Sequence, residues 1–159
     1  MSITLRAAEP ADTATILGFV RELAAFEREP DAVVATEPML AEALFGPRPA
    51  AEAVIAERDR QAVGFALFFA NFSTWTGRQG LYLEDLYVTP TARGAGVGKA
   101  LLIHLAGIAR DRGWARFEWS VLDWNTPAVE FYRAMGAQAM EEWTVQRVSG
   151  EALEKLAGR

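Results

Sequence analysis

Cysteine is absent from this chain, and histidine occurs once, at position 104. The first absence removes disulfides, thiolate metal sites and cysteine nucleophiles together. The second, with no clustered His/Asp/Glu pattern, leaves a catalytic zinc without ligands, so no metal is expected. Long apolar runs are missing as well. The longest, Ala62 to Ala70, falls far short of the ~20 residues a membrane helix needs. The opening MSITLRAAEP has no apolar signal-peptide core. A formal charge of −5 lacks the basic footprint that nucleic acid demands, though it suits a cationic substrate. A cytoplasmic protein with neither a membrane nor a nucleic-acid partner is expected.

What remains is ample for a core. The 159 residues are 51% apolar and include five tryptophans, which fits a single domain over 1–159. Ile3, Leu5 and Ala7 alternate as a strand. Pro10 and Asp12 open a helix carrying Ile16, Phe19, Val20 and Leu23 at helical spacing, ending near Phe26. Thr36 caps a shorter helix that stops at Gly46 before Pro47 and Pro49. Strands follow at 53–56, 63–69 and 82–88, with a turn at Asp59-Arg60 or its neighbours and a loop from Phe72 to Gly77. A helix spans Gly96 to about Arg112, with His104 on its flank in a structural position. Arg116 to Val121 alternates as a strand, and Thr126 with Pro127 opens a helix to Met135. One or two strands are expected from Gln138, then a polar helix from Glu151. The expected class is α/β, a mixed sheet with helices on both faces.

The stretch LYLEDLYVTPTARGAGVGK, from Leu81 to Lys99, organises the rest. Gly94, Gly96 and Gly98 uncover backbone amides at a helix N-terminus, which suits a phosphate-like anion. A nucleotide P-loop fails twice, because Arg93 stands where its first glycine belongs and Ala100 replaces the magnesium-binding hydroxyl. A dinucleotide fingerprint fails on spacing and on its place in the chain. Arg-x-x-Gly-x-Gly, filled by Arg93, Gly96 and Gly98, remains.

This loop resembles the pyrophosphate loop of the GNAT superfamily of acetyl-CoA-dependent N-acetyltransferases. Asn125-x-Pro127 followed by Glu130-Phe131-Tyr132-x-x-x-Gly136-Ala137 is similar to the superfamily's second signature. Leu81 to Leu86 resembles a strand of the diamine (spermidine/spermine) and thialysine N-acetyltransferases. Glu22 to Glu27, Thr36-Glu37, Phe45-Gly46 and Trp75-x-Gly77 look like the same branch. The resemblance implies a mostly antiparallel sheet of six to seven strands with a splay between the fourth and fifth.

It further implies that backbone groups of Leu86, Tyr87 and Val88 pair with the pantetheine arm as an added strand would. Amides of Gly94, Ala95, Gly96, Val97, Gly98 and Lys99 would hold the pyrophosphate. Arg93 either adds charge there or is a solvated bystander, and Asn125 either caps its helix or also touches pantetheine. The acceptor amine must lose a proton: with a pKa near 10.4, roughly one molecule in 10³ is neutral at pH 7. By resemblance Glu84 is the base that takes this proton. Asp85, its neighbour, is expected on the opposite side unless a bulge intervenes. The N–H of Leu86 can stabilise the oxyanion, and Tyr132 matches the position of the acid that protonates the CoA thiolate. Phe26, Glu27, Trp75, Glu84 and Asp85 are the expected acceptor wall, acidic and aromatic as a di- or polyamine requires.

The reaction expected is acetyl transfer from acetyl-CoA to a primary amine of a small polyamine, diamine or lysine-like substrate in a ternary complex. The alternatives are a protein N-terminal or lysine acetyltransferase and a non-catalytic acetyl-CoA-binding module. The branch resemblance also implies a homodimer, which the apolar Trp143 and Val145 fit as well as they fit a monomer's core.

Overall fold

A computed structural model describes residues 2–158 and divides into two compact units after Ser120. The first unit contains a single five-stranded sheet in the order β1-β2-β3-β4-β5. Its strands are β1 (Ile3–Ala7), β2 (Glu52–Arg58), β3 (Gln61–Ser73), β4 (Arg78–Val88) and β5 (Phe117–Glu118). The first four pair antiparallel and β5 runs parallel to β4. The expected mixed sheet is present, with fewer strands than the predicted six to seven.

Helix α1 (Thr13–Phe26) and helix α2 (Glu37–Phe45) cover one face of the sheet. Ile16, Phe19 and Leu44 pack there against Ile55, Phe65, Leu67 and Tyr87. The other face takes helix α3 (Val97–Asp111), which buries Val97, Leu101 and Leu105. Alternation along β3 divides the two cores, because Phe65 and Leu67 point one way while Gly64, Ala66 and Phe68 point the other. Gly64 is small because a Cβ there would lie 2.7 Å from Tyr87 O. The entrance to α1 is tied down by charge: Arg6 Nη1 and Nη2 donate to Asp12 at 2.7 and 2.9 Å, and its Nε donates to Glu57 at 3.1 Å. Arg6 thereby holds the Asp12 carboxyl below its ordinary range, against the opposing effect of burial.

Several boundaries depart from the sequence reading. The loop expected at 72–77 shrinks to 74–77, since Ser73 and Arg78 still pair in a long β3–β4 hairpin. The strand expected over 116–121 is only Phe117–Glu118, because β4 offers it partners at Leu81 and Tyr82 alone. In the second unit, helices α4 (Thr126–Ala134) and α5 (Gly150–Leu156) form close to the expected bounds. Asn125 rather than Thr126 caps α4, its Oδ1 accepting from Ala128 N at 3.4 Å. The strands expected from Gln138 do not form among the described residues.

Candidate active site

β4 carries the site because its two edges differ. On one side it pairs with β3 along its whole length, while on the other β5 accompanies it only at Leu81 and Tyr82. Beyond Tyr82 the strands part, which is the expected splay. Backbone direction shows which groups face the opening. Thr89 N donates to Val63 O at 2.8 Å, and Tyr87 O is the atom nearest Gly64, so both residues address β3. Alternation then turns the N–H and C=O of Leu86 and Val88 outward, to the open edge. This corrects one expectation: Tyr87 has its backbone committed to β3 and cannot pair with an added strand. Its side chain is buried against Phe19, ring centroids 5.6 Å apart, and its hydroxyl donates to Glu22 Oε1 at 3.4 Å. Burial, then the Glu22 charge, pushes that hydroxyl up, while Arg93 acts in the opposite sense.

The open edge leads directly into the glycine loop. After a short turn at Pro90–Ala92, Gly94 and Gly96 take left-handed conformations, φ 83° and 82°, which other L-residues adopt only with strain. Ala92 N and Arg93 N bond back to Thr89 O and Pro90 O, and Ala100 N is the next to find a carbonyl, Gly96 O at 2.9 Å. Between them, the amides of Gly94, Ala95, Gly96, Val97, Gly98 and Lys99 donate to no backbone carbonyl among the described residues. Unpaired amides at the positive end of a 15-residue helix fit a pyrophosphate. Thr89 Oγ1, at the junction of strand and loop, is buried and finds no hydrogen-bond partner among the described residues.

Upstream on the same strand lie the carboxylates. Leu83 pairs with Phe68 and Asp85 with Leu67, so Glu84 is an extra residue in a β-bulge. The bulge breaks the expected alternation. Leu83 stays on the α3 side with Phe68, and Asp85 emerges on the α1 side with Leu67. Asp85 is pushed up to about 6, first by burial, then by the charge of Glu84 and that of Glu27. Glu27, which ends α1, is itself raised by burial. Glu84 is exposed. Three carboxylates therefore share one electrostatic neighbourhood, beside Phe26, which is 46% exposed.

Two expected members stand elsewhere. Trp75 lies in the hairpin tip, 80% exposed. Asp85 lies seven steps along the strand from Arg78, about 23 Å, so the hairpin holds Trp75 away from the carboxylates. Arg93 folds away from the loop amides: its Nε donates to Val88 O at 3.0 Å, and its guanidinium lies 5.5 and 5.7 Å from the ring centroids of Phe26 and Tyr87. Sequence reasoning missed the Arg93 placement and the Glu22–Tyr87 bond and left the bulge as an open alternative, since all three depend on tertiary pairing and none has a local signature. In the second unit, Tyr132 is partly buried in α4, its ring centroid 5.5 Å from that of Phe131. Among the described residues, no group of three or more His, Cys, Asp or Glu side chains could hold a metal ion. Among the described residues, no helix is long and apolar enough to cross a membrane.

A parted sheet edge ending in an amide-lined loop suits an extended cofactor with an anionic end, and the family comparison gives the class of enzyme. Residues 19–137 match the Acetyltransferase (GNAT) family, and the chain belongs to that family of N-acetyltransferases. It is 38% identical to the thialysine N-epsilon-acetyltransferase of Sus scrofa, over 99% of each chain. To the L-ornithine N5-acetyltransferase NATA1 of Arabidopsis thaliana it is 32% identical, over 96% of this chain and 86% of the other. Among solved structures, an integron cassette protein from V. cholerae superposes with a TM-score of 0.83 at 29% identity, covering 100% of this chain and 99% of that one.

Proposed function

We propose that the chain transfers the acetyl group of acetyl-CoA to a primary amine of a small diamine, polyamine or lysine-like amino acid, by direct attack in a ternary complex. The observation that carries this reading is β4 itself. One strand edge runs from three carboxylates, past the outward N–H groups of Leu86 and Val88, to six unpaired amides. Leu86 and Val88 pair with the pantetheine arm, and the amides of Gly94 to Lys99 hold the pyrophosphate. The Leu86 N–H faces the oxyanion that develops as the amine attacks.

Glu84 is the residue matched to the family's base. The raised carboxyl of Asp85 favours a second candidate, because a base that titrates near the working pH accepts a proton most productively. Tyr132 protonates the departing thiolate, a role supported by its place in the second signature. Glu27 and Phe26 complete an acidic, aromatic wall for a cationic acceptor. Because the family match runs from residue 19 to 137, through both units, we treat the chain as one acetyltransferase domain. The exposed Trp143 and Val145, at 68% and 78%, support a homodimer.

The test is acetyl-CoA turnover on a panel of thialysine, ornithine, spermidine and lysine- or N-terminus-bearing peptides, run on protein whose solution mass is also measured. Turnover concentrated on the small amines is expected, with kcat falling about 10²-fold or more in Tyr132→Phe and a mass near twice 17.4 kDa. Preference for the peptides would move the protein to the alternative class. Cofactor binding with no turnover on any amine would make it a binding module.

A further inference from the structure

Arg93 departs furthest from the role its motif implies. It springs from the loop between Ala92 and Gly94, yet its side chain reaches back along β4. Its Nε holds Val88 O at 3.0 Å, and its guanidinium lies over Phe26 at 5.5 Å and Tyr87 at 5.7 Å. One side chain is therefore engaged at two places, the open backbone edge and the aromatic wall at the end of α1. Under the acetyltransferase reading, on which this inference rests, pantetheine takes the first place and the cationic amine the second.

We propose that Arg93 is a positioning residue that couples the two substrates, covering the acceptor wall until acetyl-CoA engages β4 and the loop. A guanidinium on an aromatic face uses the same ring quadrupole that a substrate ammonium would use, and two cations on that face repel each other. A pyrophosphate held by the adjacent amides offers the guanidinium a partner of opposite charge, and such charge-assisted hydrogen bonds outweigh a partly exposed cation–π contact. Release from Val88 O also returns that carbonyl to the cofactor. Cofactor binding then uncovers Phe26 beside Glu27 and Asp85, so the amine binds second and more tightly. Coupling of this kind is reciprocal, so the amine tightens the cofactor by the same factor.

The test is calorimetry on the full chain with the panel amine turned over fastest, thialysine being the first choice, with and without saturating CoA. The wild type is expected to bind the amine at least about tenfold more tightly when CoA is present, with the same factor for CoA when the amine is present. In Arg93→Ala the factor falls below about twofold, chiefly because the amine now binds the free protein better. Arg93→Gln keeps a donor for Val88 O without the charge and loses the factor too; it replaces the alanine variant if that one melts early. A loss of fold alone would weaken both ligands and leave their ratio intact. Equal amine affinity with and without CoA in a wild type that turns over overturns the coupling and spares the enzyme reading. An undiminished factor in both variants overturns the role of Arg93. Failure to bind CoA at all overturns the acetyltransferase reading instead.

Discussion

At the scale of single residues, the site is a place where charge is held at a cost. Asp85 is raised to about 6 from an unfolded value of 3.8. A carboxyl raised in the folded state contributes stability below the unfolded value and loses it as pH rises through the folded one, here between about pH 4 and 6. Asp85→Asn should therefore stabilise the protein at pH 7.5, by up to about 3 kcal/mol, and by little at pH 3.5. Urea unfolding at the two pH values checks this, and an equal gain at both would assign the effect to packing. The sequence made Asp85 and Glu84 visible as adjacent acids in an apolar strand. Which of them sits among other carboxylates was not legible, because the bulge at Glu84 is a matter of pairing with β3 rather than of composition.

At the scale of elements, punctuation was read best. Thr36 caps α2 and Gly96 opens α3 as their residue types require, and the Asp59-Arg60 turn joins β2 to β3. That turn is a two-residue connection between paired Arg58 and Gln61, with φ 53° and 66° at its centre. Such a conformation favours Asp-Gly over Asp-Arg. Arg60→Gly is expected to raise stability by about 0.5–1 kcal/mol, since a left-handed non-glycine residue is strained. A lower thermal midpoint in that variant would contradict the strain. Strand ends were read less well. β5 stops at Glu118 although 116–121 alternates, because alternation cannot reveal how far a neighbouring strand runs alongside, and the segment from Gln138 forms no strand among the described residues. The same missing pairing opens the β4 edge, so the element that was hardest to delimit is the one that creates the site.

For the whole molecule, the sheet serves as a frame with two different faces and one unpaired edge. The α1 and α2 face carries Glu27 and Phe26 of the proposed acidic, aromatic wall, and the α3 face carries the helix that follows the glycine loop. β4 runs between these functions, and the central claim is that its outer edge together with the loop receives acetyl-CoA. Residue-resolved amide hydrogen exchange by NMR, with and without saturating acetyl-CoA, tests that claim directly. The account predicts that exchange slows by about tenfold or more at Leu86, Val88 and Gly96 to Lys99, groups that the protein itself leaves unpaired. Tyr87, already bonded toward β3, should change little. Unaltered exchange along the loop and the β4 edge at saturating acetyl-CoA would contradict the account.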